Sequence, residues 1–210
     1  MAKLVLVRHG ISEYNAKGIW TGWDDPDLTD EGVKQAAQAG QELKDIKFDF
    51  AYSADLIRAT HTLDEILRVI GQQDISVIIA PEIKERHYGI FTRKNKWQVK
   101  EEVGEEEFQK IRRSWDYPLK GGESLKDVNI RFWNFFTNEV RPKLKEGKNV
   151  LMSSSGNAFR ALIKSLENLT EKDIAGIEFG IGEAYVYDID NSGKVIHKEI
   201  RNKNPLAGKQ

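Results

Sequence analysis

The chain has 210 residues, long enough for one sizeable core, and its 40% hydrophobic and 31% charged content excludes a disordered chain. Lys and Arg number 32 against 33 Asp and Glu, so no basic surplus drives non-specific binding to nucleic acid or to anionic membrane. Cysteine is absent, which rules out disulfide staples and thiolate metal sites. No apolar run approaches the ~20 residues of a membrane span. The N-terminus enters a strand pattern without a charged leader and apolar signal region, so a cytoplasmic location is expected.

The run Lys3 to Val7 is apolar, rich in β-branched residues and free of turn signals, which predicts a buried central strand. Arg8 and His9 then stand where that strand ends, and Gly10 lets the backbone turn sharply. Alone, an Arg-His pair at a strand end is an ordinary surface feature. A loop from Ala16 to Leu28 carries Trp20, Thr21, Gly22 and Trp23, the tryptophans reading first as core plugs and second as a pocket wall. Thr29 reads as an N-cap with Asp30 and Glu31 in the first turn, followed by Val33, Ala36, Ala37, Gly40 and Leu43 at helical spacing. Phe48 to Tyr52 predicts a second strand, and Leu56 to Ile70 a helix stopped by Gly71. Arg58 falls in the first turns of that helix, where a cation and a helix terminus together make an anion site; the plainer alternative is a salt bridge to Asp55.

Ile75 to Ala80 predicts a third strand, closed by Pro81 and followed by the dense polar cluster Glu85-Arg86-His87-Tyr88-Gly89. Residues Asn95 to Tyr117 predict charged helices laid over one edge of the sheet, a cover over about residues 90–120. Within it Lys96, Arg112 and Arg113 are candidate anion contacts, although each singly reads as a solvated surface charge. Ser124 with Asp127 makes a capping box, and Leu125, Val128, Phe132, Phe135 and Phe136 form the core face that follows. Asn149 to Met152 predicts a strand, Ser155-Gly156-Asn157 a turn, and Phe159 to Leu166 a helix. Ala184 to Ile189 and Val195 to Glu199 read as a hairpin. The polar stretch Arg201 to Gln210 reads as a mobile tail. With no repeat and no linker, residues 1–210 are expected to form a single domain.

Strands alternating with helices predict a three-layer α/β/α sandwich with a mostly parallel sheet. Four segments then end on the same sheet edge, where ligands of such folds bind. They carry Arg8 and His9, residues 53–58, Glu85 to Tyr88, and Ser155 to Asn157. Several arginines around one histidine suit an anion with more than one charged oxygen, because guanidinium forks match phosphate bidentately. A neutral imidazole is a competent nucleophile toward phosphorus, and flanking cations keep it neutral while stabilising the transferring group. Glu85 is then placed to protonate the leaving alkoxide and deprotonate the incoming one. No metal-ligand or P-loop spacing is present, since Gly147-Lys148 lacks the upstream glycine and downstream hydroxyl.

Arg8-His9-Gly10 with Ser12 and Asn15, Thr21-Gly22-Trp23, Arg58, the Glu85 to Gly89 cluster, Arg112-Arg113, Gly156-Asn157 and Arg160-Ala161-Leu162 follow one another in a familiar order. In these motifs, and nearly end to end, the chain resembles the cofactor-dependent phosphoglycerate mutases of the histidine phosphatase superfamily. The resemblance implies a phosphoglycerate mutase-like fold and interconversion of 2- and 3-phosphoglycerate. It makes His9 the residue phosphorylated by 2,3-bisphosphoglycerate, with no metal. Arg8, Asn15, Arg58, Gly156 and Asn157 would hold the transferring phosphate, and Glu85 would carry the proton. Thr21, Gly22, Arg86, Tyr88, Lys96, Arg112 and Arg113 would hold the rest of a small phosphorylated three-carbon acid. The resemblance further implies a homodimer or homotetramer, and a tail that closes over the site to exclude water.

Two positions depart from the family pattern. Ile11 replaces the usual acidic or amide residue, and Ser155 stands where the family has its second active-site histidine. A serine hydroxyl donates one hydrogen bond but carries no positive charge. Losing one donor to a charged transition state costs roughly 10²–10³ in rate. Impaired mutase action is therefore expected, and a phosphatase of small phosphate esters or a non-catalytic phosphometabolite-binding paralogue are the alternatives.

Overall fold

In the computed structural model, which describes residues 1–204, the first strand β1 (Ala2–Arg8) lies inside a six-stranded sheet. The other strands are β2 (Phe50–Ser53), β3 (Ser76–Ile79), β4 (Val150–Ser154), β5 (Ala184–Ile189) and β6 (Val195–Arg201), in the order β3-β2-β4-β1-β5-β6. The pairs β1·β4, β2·β4 and β2·β3 are parallel, whereas β5 runs antiparallel to both β1 and β6. The mostly parallel sheet and the closing hairpin both follow the sequence pattern. Register matters for function here. Arg8 pairs with Ser154 and Ser53 with Ser153, so the carboxyl ends of β1, β2 and β4 finish level at one edge.

Successive strand residues face opposite layers. Leu4, Leu6, Tyr52, Met152 and Tyr187 pack on one face with α6 (Leu125–Phe135) and α8 (Gly156–Leu166), contributing Val128, Phe132, Phe159 and Leu162. Val5, Val7, Ala51, Leu151 and Val186 pack on the other against α2 (Asp30–Glu42) and α3 (Ile57–Ile70), through Ala39, Leu63 and Ile66. Thr29 caps α2 by accepting from the Gly32 amide, and Ser124 and Asp127 close their capping box reciprocally. Gly71 ends α3 in the left-handed conformation, at φ 69°. Gly10 is dictated by close approach, because a Cβ there would lie 2.1 Å from the Gly32 carbonyl oxygen at the start of α2.

The expected cover exists as α4 (Lys96–Val103) and α5 (Glu105–Arg113). It has its own small core, in which Trp20, Tyr88, Val99, Phe108, Ile111 and Leu119 are buried. Trp20 stacks on Tyr88 with ring centroids 5.6 Å apart, and it also lines the pocket described below, so it is plug and wall at once. Several features differ from the sequence expectation. The aromatic helix α6 runs into a π-helical turn over Phe136–Val140, then α7 (Arg141–Lys145), and the wider turn buries both Phe136 and Val140. A short α9 (Glu171–Gly176), capped by Thr170 and Asp173, follows α8, and a single turn α1 (Glu13–Ala16) follows β1. The stretch read as a mobile tail begins ordered. Arg201 ends β6 and its Nη1 donates to Glu42 O at 2.8 Å, while the Asn204 amide donates to Glu183 Oε1 at 2.8 Å. Residues 205–210 lie outside the described residues. No helix among the described residues is long and apolar enough to cross a membrane.

Candidate active site

The level strand ends open into a pocket whose wall includes Arg8, His9, Arg58, Glu85, Gly156 and Asn157. His9 leaves β1 at its tip and is 3% exposed, so its imidazole is buried against the pocket floor. Its Nδ1 lies 2.6 Å from the Gly10 carbonyl oxygen. A carbonyl only accepts, so Nδ1 carries the proton and Nε2 keeps a free lone pair. Burial first, then the guanidiniums of Arg58 and Arg8, hold the His9 pKa well below 6.5, against the opposing pull of the Gly10 hydrogen bond. The ring is therefore neutral at physiological pH and nucleophilic at Nε2.

Both arginines beside it are braced by main chain. Arg8 Nη1 donates to Phe179 O at 2.6 Å, and Arg58 donates to Asp24 O and Gly22 O at 2.9 Å each. Asp55 is taken by Lys84 at 2.8 Å, so the plainer salt-bridge reading of Arg58 does not hold. The Nε atoms of Arg8 and Arg58 and the hydroxyl of Thr21 are buried without a hydrogen-bond partner within the protein. Unpaired buried donors on a pocket wall are what an oxyanion satisfies. Gly156 leaves the room for this, because a Cβ there would stand 3.2 Å from Arg8 Cζ.

Glu85 is 8% exposed and its carboxylate is oriented by two amides, Arg86 N at 2.6 Å and Asn157 N at 3.4 Å. Its carbonyl accepts from Trp23 Nε1 at 2.8 Å and Arg131 Nη2 at 3.0 Å, so the loop that carries it is pinned from both sides. Asn157 Nδ2 donates to the Tyr88 hydroxyl, tying α8 to the cover. Asn15, Thr21, Gly22, Tyr88, Lys96, Arg112 and Arg113 line the same pocket. Burial, with Arg8 and Arg112 nearby, lowers the Lys96 ammonium to about 8.

Two expected site residues do not line the pocket. Ser155 is fully buried, and its hydroxyl has no partner; it stands at the N-cap of α8 without capping the helix. A short side chain at that buried position falls short of the pocket wall. Arg86 turns inward instead, with Nη2 donating to Ile111 O at 2.5 Å and its guanidinium 4.8 Å from the Tyr88 ring, so it braces the cover. Conversely, Arg160, Glu178 and Phe179 line the pocket although the sequence pattern does not point to them as site residues. Arg160 sits in a recognisable motif but was hidden within an apolar helix face, and Glu178 and Phe179 lie in a segment without periodicity. Among the described residues, no group of three or more His, Cys, Asp or Glu is arranged to hold a metal ion.

A mostly parallel α/β sheet that presents a neutral imidazole among fixed guanidiniums defines the class: a protein shaped to hold a multiply charged anion against a nucleophilic nitrogen. Residues 4–200 match the histidine phosphatase superfamily (branch 1). A 2,3-bisphosphoglycerate-dependent phosphoglycerate mutase of Brucella anthropi is 43% identical over 199 residues, covering 94% of this chain and 97% of its own. One from Rhizobium etli is 40% identical over 199 residues, covering 94% of both chains. Among solved structures, a phosphoglycerate mutase from Bacillus anthracis superposes with a TM-score of 0.73 at 24% identity, covering 93% of this chain and 90% of its own. A mycobacterial glucosyl-3-phosphoglycerate phosphatase superposes with a TM-score of 0.81 at 22% identity, covering 97% of this chain and 100% of its own. The chain belongs to the histidine phosphatase superfamily, branch 1, and shares 40–43% identity with 2,3-bisphosphoglycerate-dependent phosphoglycerate mutases within it.

Proposed function

We propose that the protein is a phosphoglycerate mutase that interconverts 2- and 3-phosphoglycerate through a phosphohistidine at His9, with turnover reduced by Ser155. The observation that carries this reading is the His9 ring itself: buried, neutral, with Nδ1–H held by the Gly10 carbonyl and Nε2 free. The relatives' names support the substrate class. The unpaired Nε donors of Arg8 and Arg58 and the space left by Gly156 fit 2,3-bisphosphoglycerate, which when bound supplies the phosphoryl group that loads the enzyme.

In each half-reaction His9 Nε2 forms or breaks the bond to phosphorus as the phosphorus–oxygen ester bond breaks or forms. Arg8 and Arg58 stabilise charge on the transferring group's equatorial oxygens, at positions fixed by main-chain carbonyls. Asn15, Gly156 and Asn157 complete that cradle. Glu85 gives its proton to the leaving alkoxide and takes one back from the incoming hydroxyl. Thr21, Gly22, Tyr88, Lys96, Arg112 and Arg113 hold the carboxylate and the second phosphate. Ser155 replaces a charged partner of the transition state with an uncharged, buried hydroxyl, and turnover falls accordingly. We place the enzyme in the cytoplasm, in glycolysis and gluconeogenesis, as a homodimer or homotetramer.

Incubation with 2,3-bisphosphoglycerate followed by intact-mass analysis tests the reading. One acid-labile phosphoryl group should appear on the wild type and none on His9→Gln, with exchange between the two phosphoglycerates in the wild type alone. No adduct on the wild type would overturn the phosphohistidine. Phosphate release outpacing exchange would reassign the protein as a phosphatase.

A further inference from the structure

We propose that Glu178 is a built-in competitor anion that sets how strongly the outer half of the pocket grips the second charged group of its ligand. The pocket wall carries the cations Arg8, Arg58, Lys96, Arg112, Arg113 and Arg160 against two carboxylates, Glu85 and Glu178. Glu85 has the proton-transfer role. Glu178 has none, yet its carboxylate pairs with Arg113 Nη2 in the pocket wall.

Holding the loop does not explain that carboxylate. The loop backbone is secured without it: Tyr185 OH donates to Glu178 O at 2.9 Å, Arg8 Nη1 to Phe179 O at 2.6 Å, and Gly180 N to Glu183 Oε2 at 2.7 Å. The Glu178 carboxylate is therefore not needed to hold the loop backbone.

The pair is partly buried, with Glu178 34% and Arg113 18% exposed at the side chain. Water reaches the carboxylate side of the pair, and ordering two long side chains costs entropy, so it holds less tightly than a fully buried pair. A ligand carboxylate or phosphate can therefore take Arg113 from Glu178, and the cost of that exchange is subtracted from binding. A ligand with no second anion leaves the pair intact and is indifferent to it. Glu178 is thus a specificity-determining residue: it lowers the premium on the outer anion and eases its release.

This inference rests on the mutase reading for which end of the ligand lies outward, but its test needs no turnover. Equilibrium binding to the unphosphorylated protein compares 3-phosphoglycerate with glycerol 2-phosphate, which has the phosphate but no carboxylate. Glu178→Gln should tighten 3-phosphoglycerate by roughly tenfold, the scale of one charge-assisted hydrogen bond gained, and leave glycerol 2-phosphate within about twofold. In an Arg113→Gln background the Glu178→Gln effect should vanish. Glu178→Asn provides the same loss of charge if the first variant folds poorly, with thermal midpoints reporting folding for both. Equal tightening of both ligands, no change, or weaker binding of 3-phosphoglycerate would overturn the assignment. Absence of the His9 adduct would overturn the mutase reading while leaving this binding result standing.

Discussion

The inner and outer halves of the pocket are built from the same kinds of side chain but braced in opposite ways. At the inner end His9, Arg8 and Arg58 are each hydrogen-bonded to main-chain carbonyls, those of Gly10, Phe179, Gly22 and Asp24. At the outer end Arg113 leans on a carboxylate and Arg112 lies 5.4 Å from the Phe108 ring. Gly10 follows a strand end, and Gly22, Asp24 and Phe179 sit in loops that are themselves hydrogen-bonded, through Asp24 N to Thr21 O and Tyr185 OH to Glu178 O, so the inner groups are preorganised for the charge of the transition state. Side-chain partners exchange at small cost, which suits an end that must admit and release two isomeric acids. Rigidity sits where bonds change, and adaptability where the ligand is recognised.

Ser155→His breaks the comparison most strongly, because it returns a donor and a charge to the inner end alone. Mutase turnover should rise by around 10², with little change in KM. Position 155 is fully buried, so the imidazole enters a tight site and the thermal midpoint should fall, in line with the ~1–3 kcal/mol of overpacking. Turnover left at the wild-type level in a folded variant would show that the inner end lacks more than this one residue.

The inner end was also the more legible half. Arg8 and His9 stand where an apolar run stops, Arg58 where a helix periodicity starts, and Glu85 in a polar cluster denser than a loop requires. Each position follows from a strand or helix boundary, and boundaries are what hydrophobic periodicity reveals. Side-chain direction is not written there. Ser155 and Arg86 sit at the expected places in the chain, yet one does not line the pocket and the other turns to Ile111 O, bracing the cover. Glu178 and Phe179 were invisible because residues 177–183 have neither period nor motif, and only the close pairing of β5 with β1 brings them to the strand tips. The ordered start of the tail is illegible for a related reason: Arg201 and Asn204 are held by polar partners, and a polar stretch tied by hydrogen bonds looks the same in sequence as a free one.

Gly156→Ala sharpens the comparison by disturbing the inner end without changing any charge. The new methyl group would stand 3.2 Å from Arg8 Cζ and 3.3 Å from its Nε, the unpaired donor of the cradle. Arg8 cannot swing clear while Phe179 holds its Nη1, so the guanidinium shifts by tenths of an ångström. Roughly tenfold should be lost from the rate of His9 phosphorylation. Alanine is the better helix former, so the thermal midpoint should hold or rise, which separates misplacement of Arg8 from damage to the fold.

The smallest effect belongs to the outer end and is read by pH. Lys96 is lowered from 10.5 to about 8, chiefly by burial and then by Arg8 and Arg112. Below that pH the ammonium is charged and available to the outer anion; above it the free protein loses that cation. A bound anion favours the charged form, so the complex keeps the proton to higher pH. Binding therefore takes up a proton in the window above about 8, and affinity falls as pH rises. Between pH 7.5 and 8.5 the Kd for 3-phosphoglycerate should weaken about threefold, the fall in the protonated fraction of a group titrating at 8. His9 adds nothing in this window, since its pKa lies well below 6.5 and the ring is neutral throughout. Lys96→Gln should flatten the slope, and glycerol 2-phosphate should show little of it in the wild type. A slope of equal size for both ligands would place the titrating cation at the inner end and undo the division between the two halves.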